Sequence, residues 1–245
     1  MAAKQVLVIF AHPDDPDFAC SGTMARWADE GAEITYCIIT NGAAGSNDPS
    51  QDLKELIAIR EREQRAAAAV TGVKDVIFLG YQDGILEPTI ALRRELTRII
   101  RQIKPHVVVC GDPLEYFYGD EYLNHADHRA AGEAALTAVF PSAPTRPIFP
   151  DLIAEGYEPH QVSQVWVSMS ATMTEYVDIS ATLDRKVAAV KCHVSQIGTE
   201  WDVAAEMARW AEETGKTANM PYAEGFRVMR LVKDPVDVPP VHGES

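Results

Sequence analysis

An unbroken run of apolar residues near the N-terminus, residues 6–11, constrains the fold more than any other feature of the chain. A run without alternating polar residues is typical of a strand buried on both faces, as in a parallel sheet covered by helices. In open α/β sheets, ligands bind beyond the carboxyl ends of the strands. The residues that directly follow this strand are therefore the first candidates for a functional site.

Helix and strand patterns alternate after this run. They predict strands at residues 6–11, 33–40, 76–79 and 106–110, and helices at residues 18–30, 53–70, 90–103 and 127–139. This order predicts an α/β fold of the Rossmann-like, three-layer type, a mostly parallel sheet with helices on both faces. A small C-terminal β/α extension is expected, with strands at residues 165–168, 176–179 and 225–232 and helices at residues 183–194 and 203–213.

The chain has 245 residues, of which 47% are hydrophobic, and this is enough for one large domain. We predict a single α/β domain at residues 1–232 and a flexible C-terminal tail at residues 233–245. Residues 140–164 contain five prolines and few helix signals, so we predict a long loop there. Loops of this kind often shape the entrance to a site, and we expect this one to lie over the site.

Charge and cysteine content exclude several classes of partner. With 22 Lys and Arg against 36 Asp and Glu, the net charge of −14 repels nucleic acid. The apolar run at the N-terminus is too short for a signal peptide or a membrane span, so we predict a cytoplasmic protein without a membrane partner. Four widely spaced cysteines without a CxxC pair predict reduced, mostly buried thiols. They are Cys20, Cys37, Cys110 and Cys192.

The loop after the first strand reads HPDDPD, at residues 12–17. It has no glycine and places carboxylates where a dinucleotide-binding loop holds a pyrophosphate, so it repels an anionic cofactor. His12 and Asp15, three residues apart, are ligands suited to zinc or a similar divalent ion. Asp15 before Pro16 also fits a helix N-cap, and both roles are open for it. Capping leaves His12 and Asp14 unexplained, so metal binding is favoured.

A second candidate turn, HADH, follows the strand predicted at residues 106–110. Its two histidines, His125 and His128, can face one side of the turn as two ligands, or as one ligand and one proton-transfer group. Helix capping by Asp127 beside surface histidines is the alternative. Both candidate turns follow the carboxyl end of a strand, so they converge on one sheet edge. A catalytic zinc with three protein ligands and an open position fits such a set.

The two motifs and their spacing resemble the LmbE and PIG-L family of zinc-dependent de-N-acetylases, whose fingerprints are AHPDD with an acid shortly after it and HPDH further along. The resemblance spans most of the chain. Two departures are Asp17 in place of the usual glutamate and Ala126 in place of the proline, and neither removes a group that does chemistry. Shorter matches begin at Arg60 (RxxE), Tyr81 (YQDG), Asp178 (DIS), His193 (HVSQ) and Tyr222 (YAEGF).

The resemblance implies roles for individual residues. His12, Asp15 and His128 would bind one Zn²⁺ per chain, or another divalent metal. Asp14 would be the general base, and His125 would polarise the amide oxygen or protonate the leaving nitrogen. The remaining implied residues are Asp127 in the catalytic group and Arg60 and Asp83 near the substrate.

The implied activity is that of a zinc-dependent N-deacetylase acting on a linear amide of a small molecule. The expected substrate is an N-acetyl amino sugar or a sugar-linked thiol, and family habit suggests a homo-oligomer. Zinc lowers the pKa of its water to about 7, and Asp14 would take the proton. The cation and protonated His125 would then share the negative charge that develops on the amide oxygen.

Two other functions are alternatives for the same residues. A metal-dependent hydratase would add water to an unsaturated carboxylic acid, and the ligand set does not separate it from a deacetylase. Release of acetate and an amine, against loss of an alkene absorbance, distinguishes them. A non-catalytic metal-binding or nucleotide-binding module is disfavoured, because the loop lacks the glycine fingerprint and places a base beside the predicted metal.

Overall fold

The structure is a computed structural model that describes residues 4–198 and 200–232. The predicted tail at residues 233–245 therefore lies outside the described residues. The described strands are β1 (Gln5–Phe10), β2 (Glu33–Thr40), β3 (Asp75–Tyr81), β4 (Val107–Gly111), β5 (Phe117–Tyr118), β6 (Tyr122–Leu123), β7 (Gln164–Ser168), β8 (Glu175–Asp178) and β9 (Ala223–Arg230).

Seven of these strands form one sheet in the order β3-β2-β1-β4-β7-β9-β8. Strands β1 to β4 and β7 are parallel to one another, whereas β9 is antiparallel to both of its neighbours. The predicted Rossmann-like α/β fold is thereby confirmed. Strands β5 and β6 form a separate antiparallel hairpin.

The described helices are α1 (Asp15–Ala19), α2 (Ser21–Asp29), α3 (Leu53–Thr71), α4 (Ile90–Ile103), α5 (Ala126–Thr137), a π-helical turn (Ala138–Ser142), α6 (Asp151–Ala154), α7 (Leu183–Lys191), α8 (Val194–Ile197) and α9 (Val203–Ala218). The prediction of a single helix at residues 18–30 is wrong. The structure has two helices, of which the first begins at Asp15, and they are separated at Cys20, whose φ of −151° is not helical. None of the described helices combines the length and the apolar character needed to cross a bilayer.

Alternate residues of β1 face the two helical layers. Leu7 and Ile9 pack with the layer that contains α4 and α5. Val6 and Val8 pack with α2, α3 and α9 on the other side. A strand buried on both faces explains why the sequence shows a continuous apolar run there instead of an alternating one.

Helix α3 carries two side chains toward the carboxyl edge of the sheet. Asp52 caps its N-terminus by accepting hydrogen bonds from the backbone N–H groups of Lys54 and Glu55, at 2.8 and 3.4 Å. Arg60 and Gln64 lie one turn apart, so they share a helix face. Both are buried. The charge-rich pattern of this helix therefore conceals two polar side chains that point inward.

The segment at residues 140–164 does not lie over the site, and that prediction is wrong. The segment contains helix α6 and buries Leu152 and Val162. It packs against Arg101, in the last turn of α4, which donates to backbone carbonyls of the segment. Because α4 ends where β4 begins, this contact lies at the amino ends of the strands, opposite the site. The prolines prevent long helices, and a buried guanidinium satisfies the free carbonyls instead.

Replacement of Arg101 by methionine is expected to destabilise the protein by about 2 to 4 kcal/mol, because buried carbonyl groups lose their hydrogen-bond donor. Arg101 is 1% exposed, and it reaches the carbonyl oxygens of Ser142, Ala143, Thr145 and Ile148 at 2.9 to 3.1 Å. Equilibrium urea unfolding measures the loss. The control is Arg98→Met on the same helix, whose hydrogen bond to Gln102 is exposed. Equal losses of unfolding free energy in the two variants would contradict a stabilising role for the hydrogen bonds that Arg101 donates.

Candidate active site

The two sequence-predicted turns meet at the carboxyl edge of the sheet, because β1 and β4 are adjacent parallel strands. His12 Nδ1 lies 3.3 Å from Asp15 Oδ2. His128 Nε2 lies 3.1 Å from Asp15 Oδ1 and 3.2 Å from His12 Nδ1. Candidate ligand atoms of three residues, from two distant parts of the chain, thus lie close together.

These three donors fit a divalent ion. A tetrahedral zinc with bonds of about 2.0 to 2.1 Å has edges of about 3.3 Å between ligand atoms. The measured separations, 3.1 to 3.3 Å, are close to that value, with Asp15 facing His12 through Oδ2 and His128 through Oδ1. Two imidazoles and one carboxylate are also a common ligand set for a catalytic zinc with an open position. The cluster could therefore hold a metal ion of this kind.

The other nitrogen of His12 faces two carboxylates. His12 Nε2 lies 3.0 Å from Asp83 Oδ1 and 3.3 Å from Asp127 Oδ2. A proton on Nε2 serves both acceptors and leaves the lone pair of Nδ1 free for a cation. Burial lowers the pKa of His12, but the carboxylates of Asp15, Asp127 and Asp83 together raise it to about 12. The site thus favours a positive charge at this point.

His128 is oriented by a residue that sequence reasoning missed. Its Nδ1 lies 3.0 Å from Asn124 Oδ1, and the Asn124 side chain in turn donates to the backbone carbonyl of Glu115 at 2.7 Å. A proton on Nδ1 leaves Nε2 free to face Asp15 and His12. The only sequence signal for Asn124 is its position directly before the HADH motif.

Asp127 is fully buried beneath His12 and does not face the open site. Its carboxylate accepts hydrogen bonds from the backbone N–H groups of Gly84, at 2.8 Å, and Leu86, at 3.0 Å. A second possible ligand set, His12, His125 and Asp127, fits a metal less well because both Asp127 oxygens are already occupied. The structure thus places Asp127 as a support for His12.

The two helix-capping alternatives are wrong. Asp15 is the first residue of α1, and its carboxylate accepts from the backbone N–H of His12 at 2.8 Å instead of capping the helix. At the start of α5 the cap is His125, whose Nδ1 accepts from the backbone N–H of Asp127 at 3.1 Å. Neither aspartate is held in place by a capping role.

Asp14 has an unusual backbone. Its φ of 105° lies in a region that non-glycine residues rarely adopt, and such strain often marks a functional position. Arg60 donates to Asp14 Oδ2 at 3.1 Å and to the carbonyl of Pro13 at 2.7 Å. Burial and then the neighbouring Asp15 raise the pKa of Asp14 to about 6, and Arg60 opposes them. A carboxylate with such a pKa is suited to accept a proton near neutral pH.

His125 is exposed at the edge of the site. Its ring lies edge-on to the His12 ring, with 4.8 Å between the ring centroids. Because Nδ1 accepts a backbone N–H, the proton of the neutral ring is on Nε2. Burial and the nearby His12 also lower the pKa of His125. This arrangement favours a neutral hydrogen-bond donor over the protonated ring that the sequence analysis expected.

Arg60 and Asp83 lie beneath the site instead of lining its open side. Arg60 is 3% exposed, and it also donates to the Gly42 carbonyl at 2.8 Å. Asp83 Oδ2 accepts from the backbone N–H of Ala44 at 2.9 Å, while Oδ1 faces His12. Their predicted contact with the substrate stays a prediction. What the structure shows is that Arg60 holds Asp14 and Asp83 holds His12.

A cavity opens beside His128. Tyr118 forms part of its wall, with the hydroxyl donating to the backbone carbonyl of Met169 at 3.1 Å. The lining residues are Phe10, Asp15, Gly111, Asp112, Tyr118, Asn124, His128, Ala131 and Met169. Apolar surface adjacent to two candidate ligands is a suitable place for a small acyl group.

Comparison with known proteins shows which family the chain resembles. The family model of GlcNAc-PI de-N-acetylase (PIG-L) matches residues 7–139, more than half of the chain. Diacetylchitobiose deacetylase of Thermococcus kodakarensis is 34% identical over 228 residues, with coverage of 91% of this chain and 82% of the relative.

Two solved structures are also similar. N,N'-diacetylchitobiose deacetylase from Pyrococcus horikoshii, in complex with its inhibitor MPG, has a TM-score of 0.86 at 31% identity and covers 93% of this chain and 84% of that chain. The 4-carboxy-2-hydroxymuconate hydratase GalB from Pseudomonas putida has a TM-score of 0.76 at 21% identity and covers 94% and 99%, a likeness that shows the fold alone. On the strength of the matched residues and of relatives that are deacetylases, the chain belongs to the PIG-L family of GlcNAc-PI de-N-acetylase.

Proposed function

We propose that this protein is a metal-dependent hydrolase that removes the N-acetyl group from a small amino sugar. The observation that carries the proposal is the convergence of His12, Asp15 and His128 on one point, with Asp14 fixed beside them by Arg60. The relatives described above act on diacetylchitobiose, which supports an N-acetyl amino sugar as the substrate.

His12, Asp15 and His128 are the residues that would hold the metal, one zinc per chain. When bound, such an ion supplies an acidified water and an electrophile for the amide oxygen. The hydrogen bonds of His12 to Asp83 and Asp127, and of His128 to Asn124, keep the ligand nitrogens free. We assign these three supporting side chains to orientation of the ligands, which replaces the predicted catalytic role of Asp127.

Asp14 would accept the proton of the attacking water. Its raised pKa makes the carboxylate a stronger base than an exposed aspartate, and the contact with Arg60 keeps the ionised form accessible. The proton can later pass to the departing amine, because amide hydrolysis needs a protonated nitrogen to break the C–N bond.

His125 would donate a hydrogen bond from Nε2 toward the amide oxygen or the leaving nitrogen. The Nδ1 contact with the backbone N–H of Asp127 fixes both the ring orientation and the tautomer. A neutral donor stabilises a developing negative charge without moving its own proton away. The mechanism therefore requires no protonated His125 in the resting enzyme.

The hairpin of β5 and β6 supplies aromatic faces for a sugar ring. Tyr116, Phe117 and Tyr122 are between 52 and 71% exposed, and Tyr118 of the same hairpin lines the cavity beside His128. Aromatic rings pack against the apolar faces of sugars. A homo-oligomeric assembly, on family resemblance, and a cytoplasmic location also belong to the proposal.

The proposal is tested by metal analysis of the purified protein combined with a screen for amine release from N-acetyl sugars. We expect about one zinc per chain and stoichiometric release of acetate and amine. Hydration of an unsaturated acid without amine release would favour the hydratase instead. A protein that binds no divalent ion would contradict both.

Thermal unfolding gives a second measurement of metal binding. At a free zinc concentration of about 1,000 times Kd, binding stabilises the native state by about 4 kcal/mol. For a chain of this size, we expect the Tm to rise by about 8 to 16 °C. Magnesium at the same concentration is the control, because it prefers oxygen ligands and octahedral geometry. An equal shift with magnesium would contradict a site built from imidazoles.

A further inference from the structure

A second group of polar side chains lies beneath the first turn and outside the candidate ligand set. Asp17, Gln64 and His193 come from α1, α3 and the loop between α7 and α8, and each is 0% exposed. The mechanism above uses none of them. Buried polar groups are normally hydrogen-bonded. The partners of these three side chains therefore show which part of the structure they stabilise.

The three side chains form one continuous path of hydrogen bonds. His193 Nε2 lies 2.8 Å from Asp17 Oδ2, and Gln64 Nε2 donates to the same oxygen at 2.7 Å. At the other end of the amide, Gln64 Oε1 accepts from the backbone N–H of Asp14 at 2.7 Å. The path thus ends on the residue assigned as the general base.

The backbone N–H of Asp14 fixes the direction of this path. An N–H group donates a hydrogen bond and cannot accept one, so the amide oxygen of Gln64 must face Asp14 and its amide nitrogen must face Asp17. A flipped amide would place an oxygen against the carboxylate and an NH₂ group against the Asp14 N–H. Among the described residues, Asp17 Oδ1 and His193 Nδ1 are buried without a hydrogen-bond partner.

The residue at the end of the path is the strained one. Asp14 has a φ of 105°, which costs free energy for a residue with a Cβ and persists only where the surroundings enforce it. Gln64 holds its backbone N–H, and Arg60 holds the preceding carbonyl of Pro13. The path of hydrogen bonds therefore ends at the position where the backbone has to be held.

We propose that Asp17, Gln64 and His193 are positioning residues that hold the Asp14 backbone in the conformation that presents its carboxylate to the reacting water. The inference rests on the proposed function for its kinetic consequence only. The hydrogen bonds described for these three side chains join them to one another and to Asp14, and not to His12, Asp15 or His128. Loss of the path should therefore affect the base and spare the metal.

The test compares Gln64→Met, which keeps the length of the side chain but makes neither hydrogen bond, with Thr71→Val on the same helix. Thr71 is also 0% exposed, and its hydroxyl bonds to carbonyls of its own helix. Changes to outer-shell partners typically cost 10- to 100-fold in activity. We expect kcat of Gln64→Met to fall by about 10- to 100-fold, with KM and zinc content unchanged, and kcat of Thr71→Val to stay near wild type.

His193 offers a conservative rescue. Glutamine places its Nε2 donor where His193 Nε2 lies, whereas leucine has no donor. We expect His193→Leu to lose kcat as Gln64→Met does, and His193→Gln to recover most of the loss. Equal kcat in the two His193 variants, or losses that follow the folded fraction in all variants, would show a structural role only.

A crystal structure of Gln64→Met gives a readout that does not depend on activity. We expect the φ of Asp14 to leave the positive region while His12, Asp15 and His128 keep their places. An unchanged φ would overturn the inference, even if the wild-type protein proves to be a deacetylase. Conversely, a relaxed Asp14 in a protein without deacetylase activity would uphold the positioning role and reject the proposed function.

Discussion

The Asp14→Asn variant is expected to bind zinc as the wild type does and to turn over substrate about 100 to 10,000 times more slowly. Asparagine keeps the shape of the side chain, and its oxygen can still accept from Arg60, which lies 3.1 Å from Asp14 Oδ2. It cannot accept the proton of the attacking water. The measurements are kcat by amine release and zinc per chain by metal analysis.

The matched control for this variant is Asp184→Asn, which removes one negative charge from an exposed position of helix α7. It should leave kcat near the wild-type value. If Asp14→Asn lost zinc together with activity, Asp14 would have to be reassigned as a ligand. A variant with full activity would remove Asp14 from the mechanism.

Replacement of His128 by alanine is expected to abolish zinc binding and to reduce turnover by about 10⁴ or more, because water activation and stabilisation of the oxyanion are lost together. His128 is a better target for substitution than His12, because a His12 variant would also lose the contacts with Asp15, Asp83 and Asp127. Zinc per chain after dialysis and the zinc-dependent rise in Tm measure the effect.

His160→Ala is the control, since His160 contacts the carbonyl of Pro105 near the start of β4, at the opposite edge of the sheet. It should keep both zinc and turnover. His125→Ala is the informative comparison, because the sequence left the choice between His125 and His128 open. We expect His125→Ala to keep its zinc and lose turnover. The reverse pattern would make His125 the ligand and overturn the assignment.

The sequence predicted the elements that depend on local pattern. The strand at residues 33–40 and the helix at residues 90–103 occur with the predicted bounds. The hydrophobic patterns of buried strands and amphipathic helices lie within a few neighbouring residues, so these elements can be predicted without knowledge of the tertiary structure. The break at Cys20 was missed because it carries no glycine or proline signal, and only the packing around Cys20 reveals it.

The position of residues 140–164 on the sheet is a feature that the sequence could not predict. Five prolines correctly indicated an absence of long regular structure, but they carry no information about which edge of the sheet the segment covers. The buried guanidinium of Arg101 decides that, and an arginine in a charged helix looks like a solvated residue in the sequence. Likewise, Gln64 and Asn124 have no signal that separates them from ordinary polar residues, and the motif matches at Asp17 and His193 do not show that these two side chains meet.

By itself, the sequence determined that two acid- and histidine-rich turns follow the ends of strands in a parallel sheet, because strand ends and motif residues are local features. The tertiary structure alone decided which atoms face one another. It turned His128 toward Asp15, placed Asp127 and Asp83 behind His12, and made His125 a helix cap. Spacing along a chain fixes the side of an element that a residue occupies, whereas hydrogen bonds between distant segments fix its orientation.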